Sequence, residues 1–457
     1  MALPGSTSNG QTRILKVSDV IDNRPMSSFQ FRTILLGGLV LFTDGFDAQT
    51  IGFLATPIAR STGIPINTFG PIFSASLIGL MIAAMLAGPI ADRWGRKWPV
   101  IFSTSTLAVF SVLTALSTSF NHLLIYRFLT GLGLGGALPN VVALSSEYVP
   151  KRLRAVIVAM LFCGLPVGGF ICGMLSRALL PVWGWQSVFF IGGAVPLLIS
   201  ILLIAMFPES AQFLSQRGDK PQKIAKLLGP IDPEIAADID RISFAPPSMM
   251  PKGAPVKHLF TDSRALGTIL LWIPNFMNLL IMYVIVNWLP ALLEASGMSV
   301  SNGVTATSFF SLGGVIGTLA EGYLIRLGGG YRVMLAEFGL CVLFIASMAL
   351  MAGIWPVVIV LSLLLGFLVI GAQAGLNVMA ANFYPTSIRS TGVGWALGIG
   401  RIGSIAGPIF AGMLLSIKWQ PWQVLLVGAV PALFALVSIL LGNFVLRKES
   451  PYTVISD

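Results

Sequence analysis

Gly88-Pro-Ile-Ala-Asp92-Arg93-Trp-Gly95-Arg96-Lys97 closes one long apolar run, and Gly322-Tyr-Leu-Ile-Arg326-Leu-Gly328 closes another at an offset of 234. A second pair of loops keeps nearly the same spacing. Pro150-Lys-Arg-Leu-Arg154 returns as Pro385-Thr-Ser-Ile-Arg389, at an offset of 235. Two loops that match at almost one offset predict a duplicated chain. Repeated halves, with the substrate site at their interface, are how many secondary transporters are built.

Outward from these loops, the chain is mostly membrane-length apolar sequence. A run of about 20 apolar residues crosses a bilayer, and twelve are read near 33–56, 71–91, 98–118, 122–146, 155–178, 186–207, 265–290, 304–325, 333–352, 354–380, 390–414 and 421–445. The long polar stretch from Pro208 to Arg264 divides them six and six. The predicted fold class is therefore an all-α membrane protein, with twelve transmembrane helices in two pseudo-symmetric six-helix bundles. The expected organisation is a tail at 1–32, a bundle at 33–207, a central loop at 208–264, a second bundle at 265–445 and a tail at 446–457.

Composition points the same way. Of 457 residues, 55% are hydrophobic and only 10% are charged, against about 25% charged in soluble domains. The 49 glycines suit close helix contacts in lipid. No short apolar run with a small-residue cleavage site opens the chain, so the run from Thr33 is expected to be an uncleaved anchor. Cys163, Cys172 and Cys341 lie in apolar stretches without metal or redox spacing and are expected to be buried thiols.

Basic residues predict the orientation. The side that would hold both chain ends carries Arg13, Lys16, Arg24, Arg32, Arg93, Arg96, Lys97, Lys151, Arg152, Arg154, the central loop, Arg326, Arg332, Arg389, Arg447 and Lys448. The opposite loops hold only Arg60, Arg177 and Lys418 of the 28 Lys and Arg. Both termini are expected to be cytoplasmic in a bacterial inner membrane. The net charge of +10 reads as topology and contact with anionic lipid, not as a nucleic-acid footprint. His122 and His258 have no metal-ligand partners and read as surface residues; neither a metal nor a cofactor is expected.

An ionisable group at a helix centre costs at least ~2.5–3.5 kcal/mol, so each one needs a reason. The deep ones read from the spans are Asp44, Asp47, Arg127 and Arg401. Asp44 lies about 18 Å into its span, by helix rise, with Asp47 on the same face. Arginine binds carboxylates in two-point fashion, and a proton taken up by Asp44 or Asp47 would free an arginine for an anion. Arg401 is favoured over Arg127 as that ligand. The alternative is a structural Asp47–Arg127 salt bridge, with Asp44 lining a hydrated vestibule. Phe46, Tyr283, Trp288, Phe310 and Trp395 are candidate apolar walls of a pocket. Gln373 and Asn377, with Asn275 and Asn278, are candidate polar handles.

Asp92, Arg93, Glu147 and Arg389 sit at loop ends, where ion pairs can latch one face of a transporter. Gly131, Gly133, Gly135 and Gly136 lack the Lys-Ser/Thr of a phosphate loop and read as helix packing. In the central loop, Pro221–Leu228 and 232–242 read as short surface helices and 243–255 as linker.

With these residues in view, the chain resembles the major facilitator superfamily, whose signature loop Gly88–Lys97 is similar to. Within it, the chain resembles the aromatic acid:proton symporters. The resemblance rests on Asp44-Gly45-Phe46-Asp47, Arg127 followed by Gly131-Leu-Gly-Leu-Gly-Gly136, and Asn287-Trp-Leu-Pro290. It continues in Gln373, Asn377, Tyr384-Pro-Thr-Ser-Ile-Arg-Ser-Thr391 and Gly398-Ile-Gly-Arg401-Ile-Gly403. Arg326 stands where Asp92 stands in the first half, so the two gating loops are not chemically equivalent. The resemblance implies the major facilitator fold and proton-coupled uptake of a benzoate-like anion; a monomer is expected. Other readings are uptake of another organic anion, a polyol or a sugar, or a membrane sensor that moves no solute. Deep arginines argue against a sugar, and neither tail is long enough for an output domain. An enzyme would need a nucleophile–base set that the spans lack.

Overall fold

Helices that are apolar on nearly every face satisfy their own backbone and bury their surface in lipid or in each other. The computed structural model describes residues 13–219, 221–237, 242–244, 255–261 and 264–449, and its long elements are of this kind. In chain order they are β1 (Arg13–Leu15), α1 (Val17–Asp22), α2 (Ser28–Thr62), α3 (Phe69–Trp94), α4 (Lys97–Ala115), α5 (Phe120–Glu147) and α6 (Lys151–Met206). The central segment carries α7 (Ala211–Gln216), α8 (Pro221–Leu228), α9 (Pro233–Ala237) and β2 (Ile242–Phe244). There follow α10 (Ala265–Ala295), α11 (Val300–Gly328), α12 (Gly330–Leu350), α13 (Trp355–Phe383), α14 (Arg389–Ser416), α15 (Pro421–Val427) and α16 (Ala429–Glu449).

Among the described residues, 11 helices are long and apolar enough to cross a membrane. One of them, α6, runs 56 residues and breaks at Gly184, whose φ of 73° and ψ of 176° are not helical. Its two limbs are the fifth and sixth expected spans, so twelve crossings stand. The helices run longer than the apolar runs suggested. A capping box of Ser27 and Gln30 starts α2 five residues before Thr33. Polar caps extend a helix beyond its apolar stretch because they satisfy the first backbone donors.

The repeat is structural as well as textual. Gly95 and Gly329 end α3 and α11 with φ of 86° and 75°, a left-handed turn that suits glycine. In the first half α3 packs on α5, α2 on α6 and α4 on α6; in the second, α11 packs on α13, α10 on α14 and α12 on α16. Close glycine contacts recur in register. Gly131 lies against the Ser76 backbone, as Gly366 does against that of Phe310, and Gly168 meets Phe42 as Gly403 meets Phe276. Gly131, Gly133, Gly135 and Gly136 all face neighbouring helices, as expected. A methyl at Gly366 would strike the Phe310 carbonyl, which cannot yield as a side chain can. Gly366→Ala is expected to cost about 1–3 kcal/mol or more, read as a fall in thermal unfolding temperature in detergent.

The two halves meet through α2 with α10, α3 with α14, and α6 with α11. Their contacts concentrate at the ends remote from the termini, here called the far side. Phe73 stands edge-on to Trp288, with ring centroids 5.1 Å apart. The Ser74 hydroxyl donates to the Ile405 carbonyl at 2.8 Å, and that of Ser311 to Gln49 Oε1 at 2.7 Å. Arg60 pairs with Glu294 across the same seam. On the opposite, tail side, no hydrogen bond or ion pair joins the two bundles among the described residues.

The central segment is docked against the first half. Val17, Val20 and Ile21 of α1 share a core with Ile224, Leu228, Ile231 and Ile235 and with Leu36, Tyr148 and Phe207 of the bundle. Strands β1 and β2 pair in parallel, and Arg24 bridges Asp232 and Glu234 at 3.0 Å each. The expected helix at Pro221–Leu228 is present; of the expected helix at 232–242, the described residues form α9 and, at Ile242, the start of β2. Residues 245–254 of the expected linker lie outside the described residues. All three cysteines are buried and free.

Candidate functional site

Asp44 lies midway along α2, about 7–8 Å tailward of Gln49 by helix rise. Gln49 bonds to Ser311 in the seam. Asp44 is 3% exposed, and its Oδ1 has no hydrogen-bond partner. Asp47, one turn on, is held differently. Its Oδ2 is 2.9 Å from Arg127 Nη1, and both side chains are 0% exposed. This is an ion pair without hydrogen-bond alignment, since neither atom has a hydrogen-bond partner. The aligned bond runs from Arg127 Nη2 to the Asp47 carbonyl at 3.2 Å. Arg127 therefore closes on Asp47, and its guanidinium is shut off from any solute in this conformation.

Removing one partner of a buried pair costs about 3–5 kcal/mol, because the other charge is stranded. Asp47→Asn is expected to lower thermal stability by that order, and adding Arg127→Gln to restore part of it. A double variant no more stable than Asp47→Asn alone would show that the pair is not what the stability depends on.

Arg401 contrasts with Arg127. It lies on α14 about 6 Å tailward of Ile405, the residue whose carbonyl accepts from Ser74 in the seam. It is half-buried, forms no ion pair among the described residues, and makes one long bond, from Nη1 to Tyr283 Oη at 3.4 Å. Beside it on α10 and across on α13 runs a chain of amides. Asn278 Nδ2 donates to Gln373 Oε1 at 3.1 Å, and Gln373 Nε2 donates to Asn275 Oδ1 at 3.2 Å and Asn377 Oδ1 at 3.4 Å. Asn275 and Asn278 are enclosed, whereas Gln373 and Asn377 are half-buried. Asn278 Oδ1 remains without a partner.

The expected aromatic walls divide. Tyr283 stands at Arg401. Trp288 is fully buried, donates from Nε1 to the Pro408 carbonyl at 3.0 Å within its own half, and belongs to the seam through its contact with Phe73. Phe310 is also enclosed, with its backbone against Gly366. Phe46 is buried over Gly192. Trp395 is 43% exposed and stacks on Trp272, with centroids 6.0 Å apart, about 9 Å tailward of Arg401 along α14.

At the tail-side loops, Asp92 and Arg93 are exposed. They line a recess of about 740 Å³ with Trp94, Trp98, Phe213, Gln216 and Arg217. Glu147 pairs with Arg96 and accepts from the Ser210 hydroxyl at 2.5 Å. Glu209 accepts from the backbone N–H groups of Arg96 at 2.8 Å and Lys97 at 3.2 Å, in the place a side chain at Gly95 would fill. Arg389 is exposed and donates from Nε to the Tyr384 carbonyl at 3.3 Å. His122 is exposed and His258 partly so.

Sequence reasoning passed over Glu209, Glu294 and two deep carboxyls, Glu321 and Glu337. The deep ionisable set is thus larger than Asp44, Asp47, Arg127 and Arg401. Expected span ends near 325 and 333 put both glutamates at the membrane edge. Because α11 runs on to Gly328 and α12 starts at Gly330, they lie deeper, 2% and 4% exposed.

The sequence model of the Major Facilitator Superfamily matches residues 37–408. The chain is 37% identical over 442 residues to the 4-hydroxybenzoate transporter PcaK of Pseudomonas putida, covering 97% of this chain and 99% of that one. It is 36% identical to the gallate transporter of Pseudomonas putida, over 96% and 97% of the two chains. In structure it resembles a bacterial homologue of the human lysosomal transporter Spinster, with a TM-score of 0.69 at 18% identity, over 93% of this chain and 100% of that one.

Proposed function

Because the chain belongs to the major facilitator superfamily and, within it, to the aromatic acid:proton symporter family, we propose that this multi-pass membrane transporter carries a benzoate-like carboxylate inward together with a proton. The observation that carries the reading is the contrast between the two deep arginines. Arg127 has its counter-ion in Asp47, and Arg401 has none among the described residues. A half-buried guanidinium without a carboxylate is a place for one from solution, and its planar fork matches that group.

In this reading the substrate carboxylate lies on Arg401 and the Tyr283 hydroxyl. The Gln373–Asn377 amides reach a ring hydroxyl, since amides both donate and accept. The relatives are named as transporters of 4-hydroxybenzoate and gallate, which are ring-hydroxylated acids. Asp44, buried without a cation, takes the coupled proton, while Asp47 stays with Arg127. No cofactor takes part, and the monomer is the working unit.

Alternating access follows from the seam. The halves are closed on the far side and, among the described residues, joined by no hydrogen bond or ion pair on the tail side, so in this reading the site opens toward the tails. The excess of Lys and Arg there supports a cytoplasmic tail side in a bacterial inner membrane. Turning outward requires the Phe73–Trp288 contact, the Ser311–Gln49 bond and the Arg60–Glu294 pair to separate. The last is solvent-exposed on the Arg60 side and is worth about 0–1 kcal/mol, so packing holds the seam more than charge. On the tail side, the exposed Asp92, Arg93 and Arg389 are placed to meet partners when that face closes.

The test is uptake of labelled 4-hydroxybenzoate, gallate and benzoate into proteoliposomes, with and without an inward proton gradient. Saturable uptake that exceeds equilibrium only with the gradient is expected. Saturable uptake indifferent to the gradient would remove proton coupling, and no uptake of any aromatic acid would remove the substrate class.

A further inference from the structure

Glu321 and Glu337 take no part in the proposed path, yet they are among the least ordinary residues in the chain. Each lies seven residues from the Gly329 end of its helix, about 10 Å by helix rise, so antiparallel α11 and α12 bring them level. Their carboxyls meet side by side. They are 2% and 4% exposed, and none of the four carboxyl oxygens has a hydrogen-bond donor from the protein. Helix α13 closes over them, where a side chain at Gly375 would strike Glu321 Oε1 and Met334.

Among the described residues, no cation pairs with either carboxyl. Helix α13 carries no titratable side chain, nor does the part of α16 up to Phe444. On α11, Arg326 turns its guanidinium over the Tyr323 ring, 5.3 Å from the centroid. On α12, Tyr331 and Arg332 stand at the tail-side start, and Cys341, one turn deeper, is the other group that feels Glu337. At the repeat offset of 234 the first half has Ala87 and Ser103, so the fold itself does not demand acids here.

Two carboxylates in contact and out of water cannot both stay ionised. One proton turns repulsion into a short bond in which a carboxylic O–H donates to a carboxylate oxygen. We propose that Glu321 and Glu337 form a proton-binding site separate from the Asp44–Arg401 region, holding one shared proton that fastens α12 to α11. Binding adds a proton to one carboxylate oxygen and changes nothing else. Helix α11 also carries Ser311, which bonds to Gln49 across the seam, so the clamp bears on a helix the two halves share.

Infrared spectroscopy of the purified full chain in lipid tests this without reference to transport. At neutral pH a protonated-carboxyl stretch is expected that shifts on carbon-13 labelling of glutamate. It should persist in Asp44→Asn, shift in frequency in Glu321→Gln and in Glu337→Gln, and disappear in the double variant, with a wild-type amplitude of about one proton per molecule. The label needs no variant, so an unfolded mutant leaves the test intact. A wild-type band indifferent to glutamate labelling overturns the proposal. So does a wild type with no such band whose unfolding temperature is raised by sodium or potassium, with Glu337→Gln unresponsive, since the pair would then hold a metal cation.

Discussion

Replacing Arg401 with glutamine is expected to lower kcat/KM for 4-hydroxybenzoate uptake by roughly 30- to 4,000-fold, the equivalent of about 2–5 kcal/mol for a desolvated charge pair that loses one partner. Stability should barely change, because Arg401 gives the folded chain only a long bond to Tyr283 and forms no ion pair among the described residues. Arg401→Lys should recover little, since an ammonium lacks the two-point fork. Tyr283→Phe removes one neutral donor and is expected to cost about 0.5–1.5 kcal/mol. Uptake kinetics across these three variants check the assignment. Unchanged KM and kcat in Arg401→Gln would move the carboxylate site elsewhere and reopen Arg127, despite its enclosure.

Asp44→Asn is expected to uncouple the transporter rather than silence it. With an imposed gradient of one pH unit, a carrier moving one proton per substrate concentrates its solute about tenfold. The variant should reach no more than equilibrium, while exchange of labelled for unlabelled acid across the membrane continues. The amide keeps the size of the carboxyl but cannot take up and release a proton. Membrane insertion should be intact, because Asp44 Oδ1 makes no hydrogen bond that the change would break. Asp47→Asn behaves differently, losing stability by stranding Arg127. Accumulation by Asp44→Asn at the wild-type level would place the coupling proton on another group.

Several features were legible from one-dimensional information because their physics is local or periodic. Apolar length marks a span, and eleven of the twelve expected runs map onto a helix or onto one limb of α6; the twelfth, 421–445, is divided between α15 and α16. The repeat at offsets of 234 and 235 returned as matched glycine contacts, Gly131 with Ser76 and Gly366 with Phe310. Asp44, Asp47, Arg127 and Arg401 stood out because charge in hydrocarbon is costly wherever it occurs. Helix ends were less legible. Caps such as Ser27 and Gln30 carry α2 past its apolar stretch, and the same lengthening of α11 and α12 hid Glu321 and Glu337 at an apparent membrane edge.

Composition and spacing thus settle that this chain spans a membrane in repeated halves with a few buried charges, since desolvation acts on each residue by itself. Which charges pair is a matter of three-dimensional proximity. Asp47 and Arg127 are 80 positions apart in the chain and meet at 2.9 Å, whereas Arg401 forms no ion pair among the described residues. The aromatic residues divide the same way, with Trp288 in the seam, Tyr283 at Arg401 and Trp395 on Trp272. Their identities are alike, and only the packing of one helix against another separates a residue in the seam from one beside Arg401.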